Sequence, residues 1–250
     1  MIKYGIKIWT NNSQKIFEQT LNLFAKRQID FVELYIHPAV TDHQKLKIFK
    51  KKVITIHATK YEDDFDIFKL TEKKVRLFNE QVIGTADFLK ANLIVVHAGA
   101  GSKQAIFKNN LERIFDPRIV IENMPRISLD NKYFFGYSLD QLKWIKEYCK
   151  VDICLDIGHA IKSAASERVN YKDFLSNLLS ILKPTYFHLS GGFYNNKRDE
   201  HLNLYEGNID WSWIKNELNK ISINKDIWLV FETPKTENDL ENINYFKKLA

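Results

Sequence analysis

Eight short apolar segments alternate with longer segments of helical spacing along the chain, and this alternation limits the possible folds more than any other feature. The apolar segments are four to seven residues long, as β-strands commonly are. One of them begins with four consecutive apolar residues, Leu93 to Val96, which is typical of a strand covered on both faces. The predicted strands are 3–9, 31–35, 53–57, 93–97, 119–122, 152–156, 186–189 and 228–232.

The segments between the predicted strands have the periodicity and start signals of helices. Apolar side chains recur on one face of 13–27 and on one stripe of 71–90, as in helices that pack against a core. Ser138 and Asp210 are predicted to cap two later helices. Strands that alternate with helices indicate an α/β protein, and eight of them favour a (β/α)8 TIM barrel over an open doubly wound sheet. We therefore expect residues 1–250 to form a single TIM barrel domain.

The composition is that of an ordinary globular protein with an excess of basic residues. Lys and Arg number 37 against 31 Asp and Glu, which gives a net charge of +6. This charge would suit a polyanionic partner, but a general bias toward Lys, Asn and Ile also explains it and is favoured because no arginine cluster marks a groove. The two cysteines are too few for a disulfide framework. No apolar segment is long enough to span a membrane, and lysines interrupt the N-terminus before a signal-peptide core, so we expect a cytoplasmic location. We also expect a monomer.

The residue types at the ends of the predicted strands point to a metal centre. Imidazole and carboxylate side chains end six of the strands or lie one residue inside them: His57, His97, Glu122, Asp156, His188 and Glu232. Three more follow closely in the loops: His159, Asp199 and His201. In a barrel these side chains converge on the C-terminal mouth, where active sites are built.

Each of these residues alone has a structural explanation as a hydrogen-bonded or ion-paired side chain. Their combination favours a metal centre, because five of the seven histidines fall at this predicted rim. Clustered carboxylates and imidazoles would repel one another or lack partners unless protons or metal ions lay between them.

The same residues lie in motifs that resemble AP endonuclease family 2, the endonuclease IV-like branch of the xylose isomerase-like TIM barrels. The resemblance covers essentially the whole chain and is most specific from Asp199 to Ile209. The motifs are Val95-Val96-His97-Ala98-Gly99, Val120-Ile121-Glu122-Asn123, Leu155-Asp156-Ile157-Gly158-His159, Phe187-His188-Leu189-Ser190, Asp199-Glu200-His201 and Phe231-Glu232-Thr233-Pro234.

The resemblance implies a trinuclear zinc cluster, although manganese or iron would also suit this mixture of ligands. It implies three ligand sets: His57, His97 and Glu122; Glu122, Asp156, His188 and Glu232; and His159, Asp199 and His201. Glu122 would bridge two of the ions, and we expect Glu122, Asp156 and Glu232 to be essential for catalysis. Four carboxylates against three divalent ions leave a local charge of about +2, which suits a phosphodiester.

The activity implied by the resemblance is hydrolysis of DNA on the 5′ side of abasic sites, and the implied partner is DNA containing such sites. The ions would activate water and neutralise the phosphoryl oxygens. Tyr61, four residues after His57, and Arg198 are candidates for binding the substrate.

Two other functions remain open. Sugar and sugar-phosphate isomerases or epimerases of the same superfamily resemble this chain at Glu122, Asp156, His188 and Glu232 but usually hold one ion; there Glu122 and Glu232 would move a proton between neighbouring carbons of a small sugar. Compact loops after the second and fourth strands keep this alternative open. The sequence of segment 31–35 resembles that branch, but we interpret the segment as an ordinary barrel strand. A non-catalytic barrel that binds nucleic acid is the third possibility, and the complete ligand set argues against it.

Overall fold

The computed structural model describes residues 1–38, 42–233 and 239–250. Eight parallel strands form a closed barrel in the order of the sequence, so the predicted (β/α)8 fold is confirmed. The strands are β1 (Ile2–Trp9), β2 (Phe31–Tyr35), β3 (Ile54–His57), β4 (Ile94–His97), β5 (Ile119–Glu122), β6 (Asp152–Asp156), β7 (Tyr186–Leu189) and β8 (Ile227–Phe231).

Helices follow the strands on the outside of the barrel. They are α1 (Gln14–Ala25), α2 (His43–Leu46), α3 (Glu72–Leu77), α4 (Gly84–Leu89), α5 (Gln104–Arg113), α6 (Leu139–Trp144), α7 (Ile157–Glu167), α8 (Tyr171–Leu182), α9 (Trp211–Ser222) and α10 (Asp239–Lys248). As predicted, the Ser138 and Asp210 side chains accept hydrogen bonds from the first turns of α6 and α9. Within the described ranges, no helix is long and apolar enough to cross a membrane.

Two of the differences between the structure and the predicted elements are informative. Glu232 was expected to end the last strand, but β8 ends at Phe231; the Glu232 amide still donates a hydrogen bond to the Leu189 carbonyl, so the residue remains in line with the sheet. The helix predicted over 71–90 is interrupted by a π-helical segment, Phe78–Ile83, between α3 and α4. Such widened turns are not visible in hydrophobic periodicity, because they shift the apolar stripe by only one position.

Apolar side chains fill the interior of the barrel below its C-terminal mouth. This inner cluster contains Phe31, Val95, Val120, Cys154, Tyr186 and Val230, and all of them are buried. Gly5 leaves room for the Phe31 ring, since a Cβ at Gly5 would lie 2.5 Å from a ring carbon. The larger part of the core lies between the strands and the helices. The cluster closes the barrel from below, so polar side chains above it can be reached only from the mouth.

Candidate metal centre

One titratable side chain from each strand, or from the residue directly after it in the case of β8, lies just above the inner apolar cluster. These residues are Lys7, Glu33, His57, His97, Glu122, Asp156, His188 and Glu232. Six of them lie two positions after a residue of the inner apolar cluster, as His97 follows Val95 and Glu122 follows Val120. Side chains two apart on a strand point to the same face, so eight polar groups form a ring directly above the inner apolar cluster.

Glu122 lies at the centre of this ring and contacts two groups of histidines. Its Oε2 atom lies 3.1 Å from Nε2 of His57 and 3.1 Å from Nε2 of His97. Its Oε1 atom lies 3.2 Å from Nδ1 of His188 and 3.4 Å from Nδ1 of His159. The structure thus brings together the predicted first set, His57, His97 and Glu122, as a group that could hold a metal ion. The two carboxylate oxygens face different groups, as a bridging ligand requires.

The predicted third set also comes together. Nε2 of His159 lies 3.4 Å from Oδ2 of Asp199, and Nε2 of His201 lies 2.5 Å from the same oxygen. His159 is placed by Asp156, whose Oδ1 accepts a hydrogen bond from the His159 amide at 2.6 Å and so caps α7. Asp199 and His201 lie in the loop after β7, which returns over the mouth because Gly191 and Leu202 pair through their backbones.

The predicted second set is divided between two groups. Asp156 lies with Glu122 and His159, whereas His188 and Glu232 lie with His57 and with Glu33, a residue outside the predicted set. Oε1 of Glu232 is 2.8 Å from Nδ1 of His188. The assignment of Glu122, Asp156, His188 and Glu232 to one ion therefore stays a prediction.

Sequence reasoning missed Lys7 and Glu33. The Lys7 ammonium lies 2.5 Å from Oε1 of Glu232 and 3.4 Å from Oε1 of Glu33. The Glu33 Oε2 atom accepts a hydrogen bond from Tyr186 at 2.9 Å and pairs with Nε2 of His188 at 2.9 Å. The available signal was a charged residue in the middle of each apolar strand, because such residues are buried only when they are paired.

Hydrogen bonds orient three of the histidines for metal binding. Nδ1 of His57, His159 and His201 faces the carbonyl oxygens of Ala58, Asn123 and Glu232, respectively. An Nδ1–H that donates to a carbonyl leaves the Nε2 lone pair free for an ion, which is the usual arrangement around protein-bound metals. His188 is oriented in the opposite sense, because Glu33 holds its Nε2 and leaves Nδ1 toward Glu122 and Glu232.

Burial and neighbouring charges shift the pKa values of several predicted ligands. Burial raises the pKa of Asp156 to about 6. Burial alone would lower the pKa of His201, but the adjoining Asp199 carboxylate raises it to about 9. The pKa of His159 is likewise raised, because attraction to Asp156 and Asp199 outweighs burial. These imidazoles hold protons that a divalent ion would displace on binding.

The donor atoms fit divalent metal ions. Oδ2 of Asp156 is completely buried and has no hydrogen-bond partner among the described residues, and leaving such an oxygen unsatisfied is costly. Imidazole nitrogens mixed with carboxylate oxygens suit zinc and also manganese or iron. The residues present therefore fit a metal centre.

A cavity of about 390 Å³ opens above the centre, and Trp9, Tyr35, His97, His159 and Glu232 are among its lining residues. The predicted substrate-binding residues, Tyr61 and Arg198, are not among the lining residues of this cavity, although their sequence neighbours Lys60 and Asp199 are. The Tyr61 ring packs edge-on against Phe134, and its hydroxyl bonds to Asp130. Arg198 donates a hydrogen bond to the Asn131 side chain at 2.9 Å. Their contact with a substrate stays a prediction.

Comparison with known proteins places this geometry in a family. The chain is 27% identical over 205 residues to a probable endonuclease 4 of Halothermothrix orenii, covering 72% of each protein. Endonuclease IV from Thermus thermophilus superposes with a TM-score of 0.74 at 17% identity, over 98% of this chain and 97% of that one. A D-tagatose 3-epimerase-like protein superposes with a TM-score of 0.71 at 19% identity, over 99% and 96%. The family model described as xylose isomerase-like TIM barrel matches residues 29–249, and the chain therefore belongs to this family of AP endonuclease-like barrels.

Proposed function

We propose that the protein is a metal-dependent phosphodiester hydrolase of the endonuclease IV kind, which cleaves DNA on the 5′ side of abasic sites. The observation that carries the proposal is the group His159, Asp199 and His201, which lies beside the Glu122 group at the same mouth. Sugar isomerases and epimerases of the superfamily usually hold one ion, so the additional ligand group favours the hydrolase. The sequence relatives named endonuclease 4 support the same function.

Three ions, most simply zinc, would be held by the three predicted ligand sets. Bound divalent ions would supply Lewis acidity and lower the pKa of a nearby water. The protein itself positions the ligands at the ends of the strands, and the inner apolar cluster excludes bulk water from below. Trp9 and Tyr35 are among the lining residues of the cavity, and the more exposed Trp9 ring offers a flat surface on which a deoxyribose or a base can rest.

The test is incubation of the zinc-loaded protein with a duplex oligonucleotide that contains one abasic site. We expect a single nick on the 5′ side of that site and none in an undamaged duplex of the same sequence. Glu122→Gln, which preserves the side-chain volume but weakens the bridge, should lower the rate at least about 100-fold. The matched control is His43→Ala, because His43 stacks on Phe88 outside the barrel mouth. An intact strand after incubation with wild-type protein that holds its full complement of ions would reject the proposal.

A second candidate function, sugar epimerisation or isomerisation, is favoured by the surroundings of His188. Glu122 and Glu232 both approach its Nδ1 atom, at 3.2 and 2.8 Å, so two carboxylates lie close together at the base of the barrel mouth. Such a pair is able to remove a proton from one carbon and return it to another. Incorporation of deuterium from D₂O into a ketose, followed by NMR, would detect this reaction. His201→Ala should leave it intact but abolish the nicking of abasic DNA.

A further inference from the structure

Lys7 introduces a cation of the protein's own into the metal centre. It lies on β1 opposite Glu33 on β2, and the two residues are direct partners in the strand register. Its side chain is 8% exposed, and the ammonium contacts carboxylate oxygens of Glu33 and Glu232. Lys7 also lines the cavity above the centre. The charge therefore lies inside the ring of predicted ligands and is not part of the outer surface.

The ammonium lies against a group of potential metal-ligand atoms. Glu33, His57, His188 and Glu232 offer one atom each, and these atoms all lie within 4.8 Å of one another. Without Lys7, this group would carry two carboxylates with no fixed positive partner. The carboxylates would then attract a divalent ion more strongly than they do beside a lysine.

We propose that Lys7 is a positioning residue that holds Glu232 and, through its fixed charge, lowers the affinity of the neighbouring ligands for divalent ions. The inference rests on the metal-binding part of the proposed function and is independent of the substrate. Excess negative charge would hold an ion tightly and saturate it with protein ligands. An ion with free coordination positions is better suited to bind and release a reacting group.

Charge balance explains why Lys7 and Glu33 occur together. The four carboxylates among the predicted ligands already leave three divalent ions with an excess of positive charge. Glu33 adds a fifth carboxylate in order to orient His188, and Lys7 cancels that added charge. The pair thus allows a carboxylate to orient a ligand histidine without changing the net charge of the centre.

Contacts at Glu232 show how the positioning works. Oε1 of this residue meets both Lys7 at 2.5 Å and His188 at 2.8 Å. Oε2 lies 3.7 Å from Nδ1 of His201. Lys7 therefore fixes the rotation of the carboxylate, with one oxygen toward β7 and the other toward the loop that carries Asp199 and His201.

The experiment measures divalent-ion affinity by competition with a chromogenic chelator, using zinc alone as the ligand. Lys7→Met preserves the length of the side chain but removes its charge. We expect the variant to bind its weakest zinc ion at least about tenfold more tightly than the wild type. The metal-free variant should melt at a lower temperature, because Glu33 and Glu232 lose the buried ammonium that they share. A purely structural role for Lys7 would lower stability and affinity together, so the opposite signs identify the charge effect.

Glu33→Gln and the double variant complete the cycle. Glu33→Gln removes one of the two carboxylates beside Lys7, so the site becomes more positive and should bind zinc about tenfold more weakly. This variant remains informative if Lys7→Met does not fold. The double variant removes one charge of each sign and should return to within about threefold of the wild type. Unchanged or weaker affinity in Lys7→Met, or unchanged affinity in Glu33→Gln, would overturn this inference alone. A wild-type protein that binds no divalent ion would reject the proposed function as well.

Discussion

The ammonium of Lys162 lies 2.6 Å from Oε2 of Glu200, the residue between the predicted ligands Asp199 and His201. Lys162 is completely buried on α7, about one helical turn after His159. Glu200 also accepts hydrogen bonds from the Phe193 amide and the Asn196 side chain. This buried ion pair therefore helps to connect the helix that bears His159 with the loop that bears the other two members of the third set.

The first prediction is that Lys162→Met removes the ion of the third set and leaves the others. Loss of the buried pair frees the loop after β7 and should lower the free energy of unfolding by about 3 kcal/mol. Metal content per chain, measured by mass spectrometry after dialysis, should fall by one ion. The control is Lys172→Met, which removes a lysine from a more exposed pair with Asp210 and should keep every ion. An unchanged ion count in Lys162→Met would show that the loop holds its position without this pair.

The second prediction concerns Asn123, which follows Glu122 and joins the end of β5 to the end of β6 at Asp156. Its Nδ2 donates to the Asp156 carbonyl at 3.0 Å, and its Oδ1 accepts from the Asp156 amide at 2.6 Å. Asn123→Ala removes both of these buried hydrogen bonds and should lower the free energy of unfolding by about 2–4 kcal/mol. Asn170→Ala, which removes only the cap of α8, should cost about 1 kcal/mol. Urea denaturation measures both values, and equal costs would contradict the role given to Asn123.

Most of the barrel was predictable because its signals are local. Strand bounds follow from short apolar segments, and the starts of α6 and α9 follow from the caps Ser138 and Asp210. The positions of the strand-end ligands then required only the knowledge that parallel strands in a barrel end at one mouth. The predicted fold therefore placed six residues that are far apart in the sequence at one mouth, without any information about tertiary contacts.

The parts that could not be predicted depend on contacts between strands. Lys7 and Glu33 are single charged residues within apolar strands, and only the register of β1 with β2 shows that they face each other. The division of the predicted second set likewise depends on side-chain rotation at Glu232 and Asp156. The joining of the Tyr61 and Arg198 loops to residues 130 and 131 is a long-range contact that no periodicity records.

The third prediction is that uptake of the ion held by His159, Asp199 and His201 strengthens as the pH rises. The pKa of His201 in the metal-free protein is about 9, so at lower pH an incoming ion must displace its proton. Apparent affinity should therefore increase by up to about tenfold per pH unit between about pH 6.5 and 8.5 for each proton displaced. Calorimetric titration with zinc in two buffers of different ionisation enthalpy counts the protons. His201→Ala should release fewer of them, and a flat profile in the wild type would contradict the prediction.

The same shift has the opposite sign for the stability of the metal-free protein. A histidine whose pKa is raised on folding contributes its full stabilisation below the unfolded pKa, about 6.5, and loses it as the pH rises through the folded value. The metal-free protein should therefore become less stable between about pH 6.5 and 9, whereas the zinc-loaded protein should not. Melting temperatures across this range, with and without a chelator, separate the two effects.

The last prediction concerns Gly191, at the base of the loop that carries Asp199 and His201. Its amide donates to the Leu202 carbonyl at 2.7 Å, and its carbonyl accepts from the Leu202 amide at 3.1 Å. A Cβ at Gly191 would overlap the backbone carbonyl of Asn203, and backbone atoms on a paired segment have little freedom to move away. Gly191→Ala should therefore open the base of the loop, lower the melting temperature and release the ion of the third set.

A matched substitution elsewhere shows whether the effect is specific to this loop. Gly84 begins α4, and a Cβ there would meet only the Asn79 carbonyl oxygen at 3.6 Å, an ordinary contact. Gly84→Ala should stabilise the protein by about 0.5–1 kcal/mol through the higher helix propensity of alanine, with the ion count unchanged. Calorimetric melting and metal analysis of the two variants test the contrast directly. If Gly191→Ala kept every ion, the pairing of Gly191 with Leu202 would not be what holds Asp199 and His201 over the barrel mouth.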